Sequence, residues 1–178
     1  MVFVNSRAVA PEPPLPAEMA DLGPERDLDL VLSFLNTCDA EAGTDALGDA
    51  AQWRRWCADQ SLGEPPAVDA ARDLRTTMRE SVACGTVRPA RFSPSWPVRV
   101  EMHDGLPRLV GTDALGKVLV AAARLVHTGH WERLKICPAE DCLCAFYDRS
   151  RNRSRTWCSM RVCGNREKAR SWRERHAV

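Results

Sequence analysis

The sequence has no run approaching the roughly 20 consecutive apolar residues that a helix needs to cross a bilayer, and a helical membrane span is therefore not expected. It also has no G-x-S-x-G, no G-x-x-x-x-G-K-[S/T], no G-x-G-x-x-G and no H-E-x-x-H. The common nucleophile turns, phosphate loops and zinc-protease helices are thus missing, and no enzymatic role is expected. Histidine is sparse, with four in the chain. His103 and His176 have no nucleophile or acid set beside them by a motif. His127 and His130, three apart, lack an obvious third ligand, so packing or capping is their expected role. No heptad pattern announces a coiled coil. The first residues, MVFVNSRAVAPEP, lose their apolar character at Asn5, Ser6 and Arg7, which leaves no signal-peptide core. The expectation is a cytoplasmic chain with reduced thiols, so its eight cysteines point to metal or packing before disulfides.

What is present is globular: 44% hydrophobic and 28% charged over 178 residues, enough for one medium domain and a small appendage. The net charge of +1 hides an asymmetry. Residues 131–178 carry 12 Lys+Arg against 6 Asp+Glu, a charge of +6, which leaves 13 against 18, or −5, for residues 1–130. An acidic body joined to a basic end suggests a polyanionic partner for that end.

Along the chain, residues 1–25 hold five prolines and read as an extended arm. Leu28, Val31, Leu32 and Leu35 predict a helix closing on Asn36-Thr37. Residues 40–49 read as a loop, and 50–63 as a helix with Trp53, Trp56 and Cys57 on one face. Residues 65–85 predict a longer helix with a stripe of Val68, Ala71, Leu74, Met78 and Val82. A Pro-rich link over 86–97 precedes a hairpin turning on Asp104-Gly105, and 115–129 predicts a helix with a broad apolar face. Cys38, Cys57 and Cys84 are read as core thiols.

The cysteines near the C-terminus are different. Cys137 and Cys142 form C-x4-C, and Cys158 and Cys163 form a second C-x4-C after fifteen intervening residues. Two thiolate pairs on tight turns can close a tetrahedron around Zn²⁺. Cys144 offers the alternative C-x6-C, although the shorter spacing is nearer the usual range, so it is read as a packed thiol beside the site. AFYD and RTWC are expected to pair around the turn SRNRS, with Cys163 in the first turn of a basic helix. That order of knuckle, hairpin and helix is a treble-clef-type zinc finger. A structural zinc contributes about 10–16 kcal/mol, which a segment so poor in large apolar side chains needs.

CPAEDC followed by FYDRSRNRSRTWCSMRVCGNREKAR resembles the CGNR-type zinc finger of bacterial proteins. LVLSFLNTCDAEAGTDALGDAAQWRRWC, DLRTTMRESV and VRVEMHDGLPRLVGTDALGKVLVAAARLV are similar to its partner, the ABATE domain. The resemblance covers roughly residues 28–176. It implies a stress-induced transcription regulator whose unusual α/β N-terminal domain senses a ligand and whose finger binds DNA. The expected fold is α+β, with a helix-rich α/β body at 26–130 and the treble-clef-type finger at 131–178.

Basic residues fit that role. Arg149, Arg151, Arg153 and Arg155 alternate through the expected hairpin tip. Arg166, Lys168, Arg170 and Arg173 follow on the helix, and Arg161 lies between the last two cysteines. Arg166, Arg170 and Arg173 share a face at i, i+4, i+7, with Ala169 and Trp172 turned toward the hairpin. Guanidinium groups on a hairpin and a helix make a two-part clamp for double-stranded DNA. The competing reading is an interaction adaptor, in which the same cations dock onto an acidic protein or onto the acidic body, with Asp148–Arg166 as a local bridge; a further, less favoured alternative is an enzyme with its site in the N-terminal domain. Asn36, Asp39, Arg75 and Arg79 are the candidate residues for a small-molecule effector, and a homodimer would suit a palindromic site.

Overall fold

The computed structural model describes residues 23–84 and 95–176. The arm to residue 22, most of the Pro-rich link and Gly85 lie outside the described residues. All strand pairs among the described residues are antiparallel, so the chain is α+β, as expected.

Helix α1, Pro24–Leu35, starts with proline at its first turn, where the fixed φ of proline suits a helix and its missing N–H costs nothing. The last two residues of the expected arm therefore belong to this helix. Leu28, Val31, Phe34 and Leu35 are its buried face, with Phe34 in the core and Leu32 only half-buried. Helix α2, Ala50–Asp59, is capped by the Asp49 carboxylate, which accepts from Ala51 N and Gln52 N at 2.8 Å each. It buries Trp53 and Cys57, and the Trp53 indole donates to Pro66 O at 2.9 Å. Helix α3, Val68–Cys84, buries Ala71, Leu74, Met78 and Val82, the stripe expected from the 3.6-residue period. Helix α4, Ala114–His127, is capped by Asp113 and is buried along Leu115, Val118, Ala121, Ala122 and Leu125.

Strands β1 (Cys38–Asp39) and β2 (Thr44–Asp45) form a minimal bridge, with β1 just before the expected loop and β2 inside it. Cys38 lies there exposed, not in the core. Strands β3 (Val98–His103) and β4 (Leu106–Gly111) form the expected hairpin. Asp104 and Gly105 both take positive φ, 51° and 79°, which sets the twist a two-residue turn requires. Gly111 is forced by a close approach, since a Cβ there would lie 2.2 Å from Lys117 N.

Asp27, 3% exposed, accepts two hydrogen bonds from Arg124 at 2.7 and 2.8 Å, tying the start of α1 to the end of α4. Strands β5 (Leu134–Ile136) and β6 (Ala145–Tyr147) then pair with each other. Leu134 and Ala145 belong to the same buried cluster as α1–α4, so the small sheet packs on the body's core, while Cys137, Ala139, Phe146 and Cys163 form a second, smaller cluster around the cysteines. No helix of the described residues is long and apolar enough to cross a membrane.

Candidate metal centre and basic surface

The first cysteine pair sits on the turn between β5 and β6. Cys137 N donates to Cys144 O at 2.8 Å, and both Cys142 N and Leu143 N donate to the carbonyl of fully buried Ala139. Leu143 takes φ 52° to complete the bend. Of the second pair, Cys158 precedes and Cys163 lies within a turn of π-helix, Met160–Gly164, that leads into α5, Asn165–His176. Ser159 caps this turn by accepting from Val162 N, and Gly164 N reaches back five residues to Ser159 O. Gly164 is required by space: a Cβ there would meet Met160 Sδ at 2.5 Å and Trp157 Cδ1 at 3.2 Å.

These turns bring Cys137, Cys142, Cys158 and Cys163 Sγ within 4.8 Å of one another. Cys142–Cys158 is 3.6 Å and Cys158–Cys163 3.5 Å. Zinc–sulfur bonds of about 2.3 Å in a regular tetrahedron place sulfurs about 3.8 Å apart, so the geometry fits one Zn²⁺. The chemistry of the donors fits as well. Burial first, and then the neighbouring thiols, push Cys163 up to about 12. Cys158 also rises, with burial again the largest cause. Cys142 is lowered despite its burial, because the Cys144 backbone N–H and the surrounding thiols stabilise its thiolate. A protein environment that favours one thiolate and resists others needs a dication to hold four. Four sulfur ligands leave no open position, so the zinc is structural. Cys144 is not in this set; burial pushes it up to about 11.

The finger keeps the knuckle and the helix of the expected arrangement, but AFYD and RTWC do not pair. Ala145–Tyr147 takes Leu134–Ile136 as its partner, because the knuckle itself brings those strands together. Residues 149–156 form an arginine-rich loop instead of a hairpin tip. Its organiser is Lys135, whose ammonium donates to Asp148 Oδ2 (2.7 Å), Arg153 O (2.6 Å) and Arg155 O (2.8 Å). Asp148 is fully buried and also accepts from Ser150 N and Arg155 N. Burial opposes its charge, yet these bonds, led by Lys135, hold the carboxyl well below the usual carboxylate range. The bridge expected between Asp148 and Arg166 is therefore replaced by Asp148–Lys135.

The basic candidates divide into two sets. Arg153 pairs with Glu132, and Arg155 donates to Trp157 O and Cys158 O and lies over the Phe146 ring. Arg166 pairs with Asp141 at 3.0 Å, approaches Glu41 at 3.7 Å and donates to Cys163 Sγ at 3.7 Å, which offsets thiolate charge from outside the ligand set. Arg170 pairs with Glu140 and Glu167, both at 2.9 Å. The Arg166–Arg170 side of α5 thus faces the knuckle, and Ala169 and Trp172 are exposed, the reverse of the expected orientation. Trp172 is 57% exposed and, among the described residues, stacks on the His176 ring. By contrast Arg151, Arg161, Lys168 and Arg173 are exposed with no carboxylate partner among the described residues, and Arg149 only overlies Tyr147. Arg175 belongs with them. Counting the helical period from Lys168 instead of Arg166 reaches it at i+7.

The four effector candidates are engaged within the chain. The Asn36 side chain donates to Ala145 O at 2.9 Å and accepts from Ala145 N at 2.7 Å, so that one amide pairs with the open edge of β6. Arg79 donates to Leu35 O and Leu143 O, joining body to knuckle. Arg75 is bidentate on Asp45, and Asp39 accepts from Glu41 N and Ala42 N within its turn. Among the histidines, His130 is bonded to Tyr147 OH at 2.7 Å.

The fold and the sulfur cluster together define a zinc-finger protein with a helical α+β body. The family models divide the chain at the same seam: residues 28–134 match the ABATE family, described as "Putative stress-induced transcription regulator", and residues 133–176 match the CGNR zinc finger. The chain belongs to the ABATE family and ends in a CGNR zinc finger. A search of curated proteins finds no match.

Proposed function

We propose that this protein is a transcriptional regulator that binds double-stranded DNA through the zinc-held finger. In this reading the body, expected at 26–130, begins with α1 at Pro24, 131–178 are the finger, and the protein works in the cytoplasm. The observation that carries the reading is the set of exposed cations without carboxylate partners on the metal-fixed finger: Arg149, Arg151, Arg161, Lys168 and Arg175, with Arg173 also unpaired but on the Arg166–Arg170 side of α5. Arg153, Arg155, Arg166 and Arg170 support it indirectly, by holding the loop and helix that present the others. The finger's +6 beside the body's −5 favours a polyanion at that end alone. Effector response, in the same reading, falls to a cleft of about 330 Å³ at the body–finger seam, lined by Cys38, Arg75, Arg79, Cys142 and Leu143.

The test is a titration of labelled duplex at several salt concentrations. Neutralising about five phosphates gives a log–log salt slope of about −4.5, so affinity falls roughly five-hundredfold between 50 and 200 mM salt. Absence of binding at the lowest salt overturns the proposal. Capture of an acidic protein by a finger without nucleic-acid affinity would establish the adaptor role instead.

A further inference from the structure

Between α5 and the loop that precedes the second cysteine pair lies a groove of about 380 Å³, lined by Trp157, Gly164, Glu167, Lys168, Ser171 and Arg175. Its charges are unequal in kind. Glu167 is already paired with Arg170 at 2.9 Å and its side chain is 15% exposed. Lys168 and Arg175, exposed and two helical turns apart on one side of α5, have no partner among the described residues. The Ser171 hydroxyl lies between them on the same side of the helix. The floor is apolar: the half-buried Trp157 indole lies against Gly164, where any side chain would push into it and into Met160. Two free cations and a hydroxyl above a flat ring form an anion seat with room for an attached ring.

We propose that this groove seats one nucleotide unit of the DNA backbone, its phosphate between Lys168 and Arg175 and its deoxyribose against Trp157. This rests on the DNA-binding reading and adds to it the side of α5 that meets the nucleic acid. That side is Lys168–Ser171–Arg175, opposite the inward Arg166–Arg170 side. Two cations on one phosphate release its counterions once. The salt slope should therefore drop by about 1 for Lys168→Gln/Arg175→Gln together, and not by 2.

The experiment uses the full zinc-loaded chain and the duplex titration above. Lys168→Gln and Arg175→Gln singly should each weaken binding about tenfold, the scale of a charge-assisted hydrogen bond. The double variant should lower the salt slope by about 1 with the helical circular dichroism and zinc content unchanged. In a Trp172→Phe background, which removes the exposed indole of the finger, Trp157→Phe should remove most of the fluorescence quenching that accompanies duplex binding. If wild type binds duplex but both charge variants keep its affinity and slope, the groove is overturned while the DNA reading stands. If wild type does not bind at low salt, the DNA reading fails first. A loss of slope by 2 would place the two cations on separate phosphates and refute the shared seat.

Discussion

Replacing Asn36 with alanine removes the amide that joins the body to the finger's sheet. Two hydrogen bonds of 2.7 and 2.9 Å disappear, and the Ala145 N–H and C=O they satisfied sit on a residue only 4% exposed. A buried polar group left without its partner costs about 1–3 kcal/mol. With two such groups, and water able to reach the half-exposed Asn36 position, the expected loss is about 2–4 kcal/mol. For a chain of this size each kcal/mol lowers the midpoint by about 2–4 °C, so Tm should fall by roughly 5–15 °C. Urea unfolding at saturating zinc measures the loss, and amide exchange at Ala145 locates it. Zinc content should stay at one per chain, because none of the four sulfurs depends on Asn36 for its position. Asn36→Asp should be no better than alanine: its carboxylate still accepts from Ala145 N but faces the Ala145 carbonyl. A loss below about 0.5 kcal/mol, with the Ala145 amide still slow to exchange, would refute the reasoning.

Gly111→Ala should cost about 3 kcal/mol or more in urea unfolding, since its Cβ would meet the Lys117 and Gly116 backbone and not a side chain that can swing away. Gly164→Ala should cost less, because the atoms nearest its Cβ belong to the flexible end of Met160, and Gly164→Ala/Met160→Ala should recover part of the difference. The Asp148 carboxyl is depressed in the folded state, so its contribution is complete above about pH 4 and is lost as pH falls through its lower folded value. Asp148→Asn should therefore flatten the acid limb of the unfolding curve below pH 4. Zinc must displace protons from Cys158 and Cys163, both raised in the metal-free site. Apparent zinc affinity should rise with pH, and calorimetry in buffers of different ionisation enthalpy should register proton release; a pH-independent affinity would contradict the four-thiolate site.

Much of this architecture is written in local pattern. The stripe from Val68 to Val82 and the Asp104-Gly105 turn need only their near neighbours, and both appear where periodicity and turn chemistry place them. The C-x4-C pairs are equally local, since a metal ligand pair must sit on one tight turn. The orientation of α5 is not local. Its inward side is chosen by Glu140 and Asp141 in the knuckle and by Glu41 in the body, which no helical period within 165–176 encodes. An arginine stripe on a helix has the same spacing whether it faces solvent or a distant carboxylate. The pairing of 145–147 was hidden for a related reason: the knuckle shortens the path to 134–136, and the alternating arginines resemble a strand although Lys135 gathers their carbonyls into a loop. Asn36, Arg75 and Arg79 form a polar cluster by residue type, and only the structure reveals that their acceptors and donors lie within the chain.

The seam built by Asn36, Arg79 and the shared core fixes one end of the molecule against the other. A chain carrying −5 and +6 on parts that cannot swing independently has a large permanent moment and almost no net charge. The field of a charged polymer exerts little pull on such a particle at a distance but a strong torque on it nearby, within about a Debye length of 8–10 Å. It would be turned finger-first before contact, with the acidic body held outward.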